Sequence, residues 1–392
     1  KLRIFFCLFI FLGQLIQRTC QRLRDNPSTI IAEPASIVGN RSCRVLVSRC
    51  GTHIKMLCEN GRWVAESVNL AERALSLVNE KRSTWLTPDS TPAITAKTKT
   101  STTLMPIRLP HFDHVVGVDF SGARLSGLNA WIARTEILPD RGRLKLVELS
   151  PLGKLAASEH RDDVNAFLVQ QVEQSQATLW GFDFPFGLPI ELKLGTWARQ
   201  LQFLGRFDGD ATKYGHYLVD RTRQISQVMH IRRVTDRETQ TPFDCYHYRI
   251  IYQTFHGMRD ILRHIHASSD TAILPFQFNK LAVATSPVKR VVVEACPSST
   301  LKRLSLPHRM YKQAGGKPPT PEKVAVRKTI LRAIEKVVAI KPSHRKVMLA
   351  NPGGDALDSL LAAVGVFQVT MLDDHHAIAK HPRYRREGRV YG

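Results

Sequence analysis

The sequence contains no pair of cysteines spaced as CxxC, and its cysteines are unevenly distributed. Five of the seven lie before residue 60, and only Cys245 and Cys296 follow. An odd total without a CxxC pair argues against a structural zinc site. The later part of the chain therefore has the cysteine usage of a protein from a reducing compartment, which favours a cytoplasmic location.

Acidic residues are scarce. The 392-residue chain has 34 Asp and Glu against 56 Lys and Arg, which gives a formal net charge of +22. Such a charge favours polyanionic partners, with nucleic acid first and an anionic membrane surface second. A basic composition that only adjusts solubility is the alternative. The hydrophobic fraction of 43% is ordinary, so burying a sizeable core presents no difficulty.

The N-terminal apolar run, residues 2–12, is too short for a confident membrane span, which needs about 20 apolar residues. It resembles the start of a signal peptide, but no small-x-small cleavage site follows it. No stable membrane span is expected.

Residues 84–104 are rich in Ser, Thr and Pro, which predicts a flexible linker. Met105 follows directly, just before the first clear strand pattern. We therefore expect translation to start at Met105, with residues 1–104 a poorly structured or mis-annotated extension. The alternative is a real N-terminal domain, in which case residues 1–20 supply a signal or membrane anchor.

From residue 105 the hydrophobic pattern predicts an α/β domain. Strand patterns cover 114–120, 129–135, 143–149, 178–184 and 290–295, and helical patterns cover 161–175, 192–204, 211–229, 249–267, 320–338 and 354–369. The order is three strands, a helix, a fourth strand, a long mostly helical insertion at about 190–287, a fifth strand and further helices.

Acidic residues lie on apolar elements of this domain, where burial of a single carboxylate is costly. They are Asp119, Asp183, Glu294, Asp355 and Asp358. Each has an ordinary alternative: a turn residue at Asp119 or Asp183, an ion pair with an arginine such as Arg290 at Glu294, a helix N-terminal charge at Asp355, and a solvent-facing position at Asp358. A single cluster around Mg²⁺ or Mn²⁺ explains all five at once, because these cations prefer oxygen ligands.

The segments VVGVDFSGA, WGFDFPFGLP, EACPSSTLKRL and GGDALDSLLAA resemble the bacterial family of predicted ribonuclease H-like nucleases, which is labelled only as a domain of unknown function. The resemblance covers about residues 113–392. It implies a ribonuclease H-like mixed five-stranded sheet flanked by helices, and a metal-dependent phosphodiesterase. The DALD pair is also similar to the terminal-helix acids of Holliday-junction resolvases. The long insertion leaves the choice of substrate open.

For such a nuclease, we expect a two-metal hydrolysis of phosphodiester bonds. Asp119 would bridge the metals, and Asp183 and Asp355 would each complete one coordination sphere. Asp358 and Glu294 would be further ligands or would tune the attacking water. Crowded carboxylates repel, so the empty site should have raised pKa values.

Basic and aromatic residues provide candidate contacts to nucleic acid. The basic candidates are Arg221, Arg223, Arg232, Arg233, Arg237, Lys312 and Lys317. Tyr214, Tyr217, Tyr246 and Tyr248 could stack on bases, although such tyrosines are more often core or rim residues.

Two other classes of protein compete with the nuclease. An actin-like or sugar-kinase-like phosphotransferase would use the turn in GVDFSGA as a phosphate loop for ATP, but a second copy of that loop is missing from the sequence. A non-catalytic nucleic-acid-binding protein would not need all five acids. The sequence leaves the type of nucleic acid and the oligomeric state open.

Overall fold

The computed structural model describes residues 107–282 and 286–392, together with the backbone of four strands before residue 69. By its internal contacts the chain divides into two compact units, Lys1–Thr100 and Ser101–Gly392. This division falls four residues before the predicted boundary at 104. The apolar run 2–12 and the linker 84–104 lie outside the described residues.

The first unit contains one antiparallel sheet. Its strands, in sheet order, are β1 (Ile31–Glu33), β2 (Arg44–Arg49), β3 (Thr52–Glu59) and β4 (Arg62–Val68). The sequence predicted little regular structure here, so this sheet is a difference from the prediction. A translation start at Met105 stays a prediction.

The second unit is built on a seven-stranded mixed sheet. Its strands are β5 (His114–Asp119), β6 (Trp131–Ile137), β7 (Leu144–Pro151), β8 (Thr178–Phe182), β9 (Thr271–Ile273), β10 (Arg290–Glu294) and β11 (Val338–Ala339). The sheet order is β11-β7-β6-β5-β8-β10-β9. All of these strands run parallel to β5 except β6, which is antiparallel to both of its neighbours.

The central strands are short apolar runs because both faces of the sheet are covered, as in parallel sheets generally. All residues of β8 and β10 are buried. Since side chains alternate between faces, Val115 and Leu179 enter one core and Val116 and Trp180 enter the other.

Helices pack on both faces, which gives three layers. They are α1 (Leu152–Ala156), α2 (Arg161–Gln174), α3 (Trp197–Phe203), α4 (Ala211–Arg223), α5 (Val234–Glu238), α6 (Ile251–His256), α7 (Arg263–Ile265), α8 (Pro297–Arg303), α9 (Pro321–Ile334), α10 (Pro342–Ala350), α11 (Asp355–Leu372), α12 (His375–Lys380) and α13 (Tyr384–Glu387). A π-helical segment, Gly257–Leu262, joins α6 to α7. Helices α1 to α4, α6 and α7 contribute to one core, and α8 to α12 contribute to the other.

Helix α11 lies directly against β5. A Cβ atom added at Gly117 would come within 2.1 Å of the Ser359 carbonyl oxygen and 2.4 Å of the Ala363 nitrogen. The two backbones can approach this closely only because Gly117 has no side chain. Helix α11 is long and apolar enough to cross a membrane, but most of it is buried inside this unit.

The prediction of an α/β domain is confirmed. The prediction of a five-stranded sheet is wrong, because the sheet has two further strands, one at each edge. Strand β9 lies inside the predicted insertion and pairs with β10, while β11 pairs with β7. They are three and two residues long, too short for a periodic pattern to reveal them. The predicted helix 211–229 ends at Arg223, and the predicted helix 249–267 contains the π-helical segment.

We predict that Gly117→Val destabilises the second unit. The new side chain must displace the backbone of α11, which makes the cost about 3 kcal/mol or more. The thermal midpoint should fall by several degrees, and Gly142→Ala is the control because the nearest atom to its added Cβ lies 3.9 Å away. Equal midpoints for the two variants would contradict the packing described here.

Candidate functional site

The ends of β5 and β8 place two aspartates side by side. Val118 pairs with Phe182 across the two parallel strands, and the Asp183 N–H donates a 3.0 Å hydrogen bond to the Val118 carbonyl oxygen. Asp119 and Asp183 are therefore the next residues along each strand. By alternation both point to the face of Gly117 and Gly181, which is the face that α11 covers.

The first turn of α11 brings two more acids to the same end of the sheet. Asp355 and Asp358 are separated by three residues and so share one face of the helix. Asp358 is buried, with 1% of its surface exposed, and the Tyr311 hydroxyl donates a 2.9 Å hydrogen bond to Asp358 Oδ1. Lys312 Nζ forms an ion pair with the other carboxylate oxygen.

A cavity of about 500 Å³ opens at this end of the sheet, and we call it the carboxylate cavity. Asp119, Asp183 and Asp358 line it, while Asp355 is not among its lining residues but is close enough for its charge to raise the pKa of Asp119. Apolar groups such as Phe184 and Pro185 form other parts of the wall. The cavity thus combines clustered acids with a partly apolar lining, as binding sites for small groups commonly do.

The clustered carboxylates perturb one another. Burial raises the pKa of Asp119 well above its usual value, and the negative charge of Asp358 raises it further. Burial and the same neighbour raise the pKa of Asp183 to about 7. Burial also raises the pKa of Asp355, against the opposing effect of Lys312. The pKa values are thus raised, as predicted. Among the neighbouring charges, that of Asp358 has the largest effect on both Asp119 and Asp183.

Lys312 supplies positive charge to this cluster. Although burial opposes the effect, the carboxylates of Asp358 and Asp119 raise the pKa of Lys312 well above its usual value. Its side chain is still 52% exposed, so it reaches the cluster from the rim. The sequence predicted that Lys312 contacts phosphates, whereas in the structure its ammonium group contacts Asp358.

The loop that carries Tyr311 and Lys312 is tied to the start of α11. The buried Arg327 guanidinium donates a 2.7 Å hydrogen bond to the Tyr311 carbonyl oxygen and a 2.8 Å bond to that of Pro352. The Gln313 N–H also donates a 2.9 Å bond to the Pro352 carbonyl oxygen. These bonds hold the two partners of Asp358 at a defined distance from the helix that carries it.

Glu294 also lines the carboxylate cavity, and its negative charge contributes to the raised pKa of Asp183, but its side chain is paired with an arginine. It pairs with Phe182, one residue before Asp183, so alternation turns its side chain to the opposite face of the sheet. There Arg233 Nη2 lies 2.5 Å from Glu294 Oε1 and 2.8 Å from Asp236 Oδ1. Burial raises the pKa of Glu294, and Arg233 opposes that rise.

The suggested ion pair between Glu294 and Arg290 is wrong, because Arg290 binds Asp270 at 2.9 Å. Arg233 was predicted to contact nucleic acid, but it is only 1% exposed and both of its acidic partners are buried. Its side chain holds the structure of this region together, and its contact with nucleic acid stays a prediction, since it also lies in the wall of the carboxylate cavity.

The other basic candidates separate into two groups. Arg232 and Arg237 line a second cavity beside the first. Lys317 is exposed, Arg223 lies 3.6 Å from Asp220, and Arg221 Nε donates to the Leu192 carbonyl oxygen; none of these three lines either cavity.

The predicted aromatic candidates are mostly structural. Tyr214 is fully buried, and the Tyr246 hydroxyl bonds to Thr222 and to the Ile231 N–H. Tyr248 is 69% exposed and packs beside His247, so it is accessible to a base. Tyr217 is partly exposed and packs on Phe203 and Phe207.

The turn after β5 is closed by another part of the chain. A Cβ atom at Gly122 would come within 2.2 Å of the Tyr252 carbonyl carbon, and Gln253 Nε2 donates a 2.6 Å bond to the Phe120 carbonyl oxygen. Gly122 therefore permits close packing against α6, which occupies the space on that side of the turn.

The fit to a divalent cation rests on donor chemistry. In residues 107–282 and 286–392, no group of three or more His, Cys, Asp or Glu side chains is already arranged to hold a metal ion. The donors at the cavity are nevertheless carboxylate oxygens, which suit Mg²⁺ or Mn²⁺. The ion pair between the ammonium group of Lys312 and Asp358 shows that this cluster of acids attracts positive charge.

Sequence analysis missed several residues of the site. Tyr311, His308 and Arg309 line the carboxylate cavity, and Asp236 lies in its wall with Arg233. These residues come from irregular loops or from the short helix α5, where no hydrophobic period indicates which side chains point inward.

Comparison with known proteins does not assign the chain to a family. No family model, no curated protein and no solved structure matches it.

We predict that Asp183→Asn makes stability less dependent on pH. The pKa of Asp183 is about 7 in the folded chain and near its usual 3.8 when unfolded. The folded state therefore binds this proton more tightly, and its stabilising contribution is lost as the pH rises through about 7. At pH 8 the variant should melt several degrees above the wild type, and at pH 4 the two should be equal.

Asp208→Asn is the matched control for that measurement, because Asp208 is exposed and has a φ of 47°, which asparagine tolerates. Thermal melting at several pH values checks the result. If the melting temperatures of wild type and Asp183→Asn change with pH in the same way, the pKa of Asp183 is not raised in the folded chain.

We also predict that Arg233→Met lowers the free energy of unfolding by about 3–5 kcal/mol, because Glu294 and Asp236 remain buried without their cation. Arg223→Met removes an exposed arginine and should change it by less than about 1 kcal/mol. Urea denaturation measures both. A change of less than about 1 kcal/mol in Arg233→Met would contradict a structural role for its buried ion pairs.

Proposed function

We propose that the chain is a metal-dependent nuclease that hydrolyses phosphodiester bonds of nucleic acid in the carboxylate cavity. The observation that carries the proposal is the convergence of Asp119, Asp183 and Asp358 on one cavity, from two parallel strands and one helix. Among the described residues, only Asp358 of these three acids forms an ion pair, with Lys312, so the other two carboxylates are available to a cation.

The arrangement of the sheet supports a ribonuclease H-like class. The five central strands β7-β6-β5-β8-β10 have the order three, two, one, four, five in the chain, and only the second is antiparallel. The edge strands β9 and β11 are additions to this set. The acids lie at the ends of the first and fourth of these strands and on the following long helix, as the resemblance implies.

The residues that would hold Mg²⁺ or Mn²⁺ are Asp119, Asp183, Asp355 and Asp358. When bound, such cations neutralise phosphate charge and lower the pKa of a water molecule that attacks phosphorus. The chain's own groups prepare the site. Tyr311 fixes the orientation of Asp358, Lys312 supplies positive charge at the rim, and Phe184 with Pro185 forms an apolar part of the wall.

No observation favours a kinase-like phosphotransferase. Its candidate phosphate loop, the turn after β5, is packed against Tyr252 and Gln253. A nucleic-acid-binding protein without activity would gain nothing from acids that repel both one another and the phosphates of its partner. The nuclease therefore accounts best for the cost of burying them.

We predict that the wild-type chain cleaves a panel of DNA and RNA oligonucleotides when Mg²⁺ or Mn²⁺ is added. Asp119→Asn and Asp358→Asn should each reduce the rate by about 100-fold or more, because each removes a charged oxygen donor from the cavity. Product formation on denaturing gels measures the rate.

Asp208→Asn is the control and should cleave like the wild type. Cleavage that persists in Asp119→Asn would defeat the assignment of the site, and ATP hydrolysis without cleavage would favour the phosphotransferase. As a separate measurement, Mg²⁺ at pH 8 should raise the melting temperature of the wild type more than that of Asp358→Asn.

A further inference from the structure

A second cavity of about 430 Å³ lies next to the carboxylate cavity, and we call it the basic cavity. Thr241, Pro242, Ser298, His308 and Arg309 line both cavities, so the two are contiguous. The linings differ in their acids: Arg232, Arg237, Lys302 and Arg309 line the basic cavity together with no acidic residue, whereas the carboxylate cavity has both acidic and basic residues in its wall.

The positive charge of the basic cavity is only partly compensated. Arg232 Nε lies 3.2 Å from Asp244 Oδ1. Arg237 donates to the Arg232 carbonyl oxygen at 2.8 Å, and Lys302 donates to that of Gln240. Among the described acids, none forms an ion pair with Arg237, Lys302 or Arg309.

Two parts of the chain bring these cations together. Arg232 and Arg237 flank or belong to α5, which Arg233 anchors to Glu294, while Lys302 lies in the last turn of α8. After α8 the chain passes Arg309 and turns at Met310, whose φ is 63°. The next two residues, Tyr311 and Lys312, reach Asp358. One short loop therefore serves both cavities.

We propose that the basic cavity binds a phosphate group of the nucleic-acid strand, next to the bond that is cut in the carboxylate cavity. The inference rests on the proposed function, because it assigns a substrate contact to the same site. Arginine and lysine without acidic partners are the side chains that bind phosphate. The neighbouring acids repel phosphate in the absence of metal, so the basic cavity supplies the attraction that holds the strand.

The bound group has two sources with the same chemistry. It is either the phosphate monoester at the end of a strand or an internal phosphodiester. The distance between the two cavities then sets where the strand is cut, counted from the bound phosphate.

The test measures binding without cleavage. In the Asp119→Asn background and without divalent metal, fluorescence anisotropy gives the Kd for single-stranded oligonucleotides carrying a 5′-phosphate, a 3′-phosphate or neither. We expect Arg237→Gln/Lys302→Gln to weaken binding about 10-fold or more and to reduce the salt dependence by about one phosphate contact. Lys328→Gln/Lys336→Gln, which removes the same charge from exposed positions outside both cavities, should change Kd less than twofold.

A preference for one phosphorylated end that the double variant loses identifies a terminal monoester, and equal weakening for all three oligonucleotides identifies an internal phosphodiester. Binding equal to that of the Lys328/Lys336 control, or no binding by the parent protein, overturns the inference.

If the double variant melts at a lower temperature than the parent protein, Arg309→Gln alone replaces it, because Arg309 is exposed. Cleavage by the wild type with unchanged binding in the double variant would refute only this inference, whereas weakened binding without any cleavage would refute only the nuclease.

Discussion

The contact between the backbones of β5 and α11 determines the positions of the other parts of the site. At Gly117 the helix is so close that even a methyl group would strike its main chain. Because the helix is held there, its first turn projects beyond the end of the strand, and Asp358 lies over the ends of β5 and β8. The apolar residues that follow along the helix belong to the core and resist any shift. The acids thus owe their proximity to packing and overcome their mutual repulsion through it.

The end of the sheet separates two kinds of acid by the direction of their side chains. Asp119 and Asp183 point toward α11, where burial and the negative charge of Asp358 raise their pKa values. Glu294 points to the other face and has a fully buried arginine as its partner. Asp119 and Asp183 destabilise the fold, and their carboxylates remain able to accept a cation. Glu294 contributes to the structure, since Arg233 joins β10 to α5.

The sequence predicted the central strands and the long helix because each has a strong apolar run. The acids stood out because they interrupt or end these runs. The sequence also predicted that five acids belong together, and all of them except Asp355 line one cavity in the structure. It could not predict the side on which Glu294 points, because that depends on a pairing register in which Glu294 faces Phe182. The role of Lys312 was equally hidden, since its loop is positioned by Arg327, whose partners are carbonyl groups of distant residues. Local patterns carry no information about such contacts.

The hydrogen bond between Gln313 and Pro352 has a consequence for the way this part of the chain can vary. The chain leaves the site at Gln313, forms α9, β11 and α10, and returns at Pro352, where the two ends are joined. The excursion is therefore closed at its base. Changes within it leave both ends beside Asp358 only where they spare Arg327 and the residues that α9, β11 and α10 bury in the core. A substitution at an exposed position of this segment should therefore leave the chemistry at its base unchanged, whereas one at its buried positions reaches the site through the core.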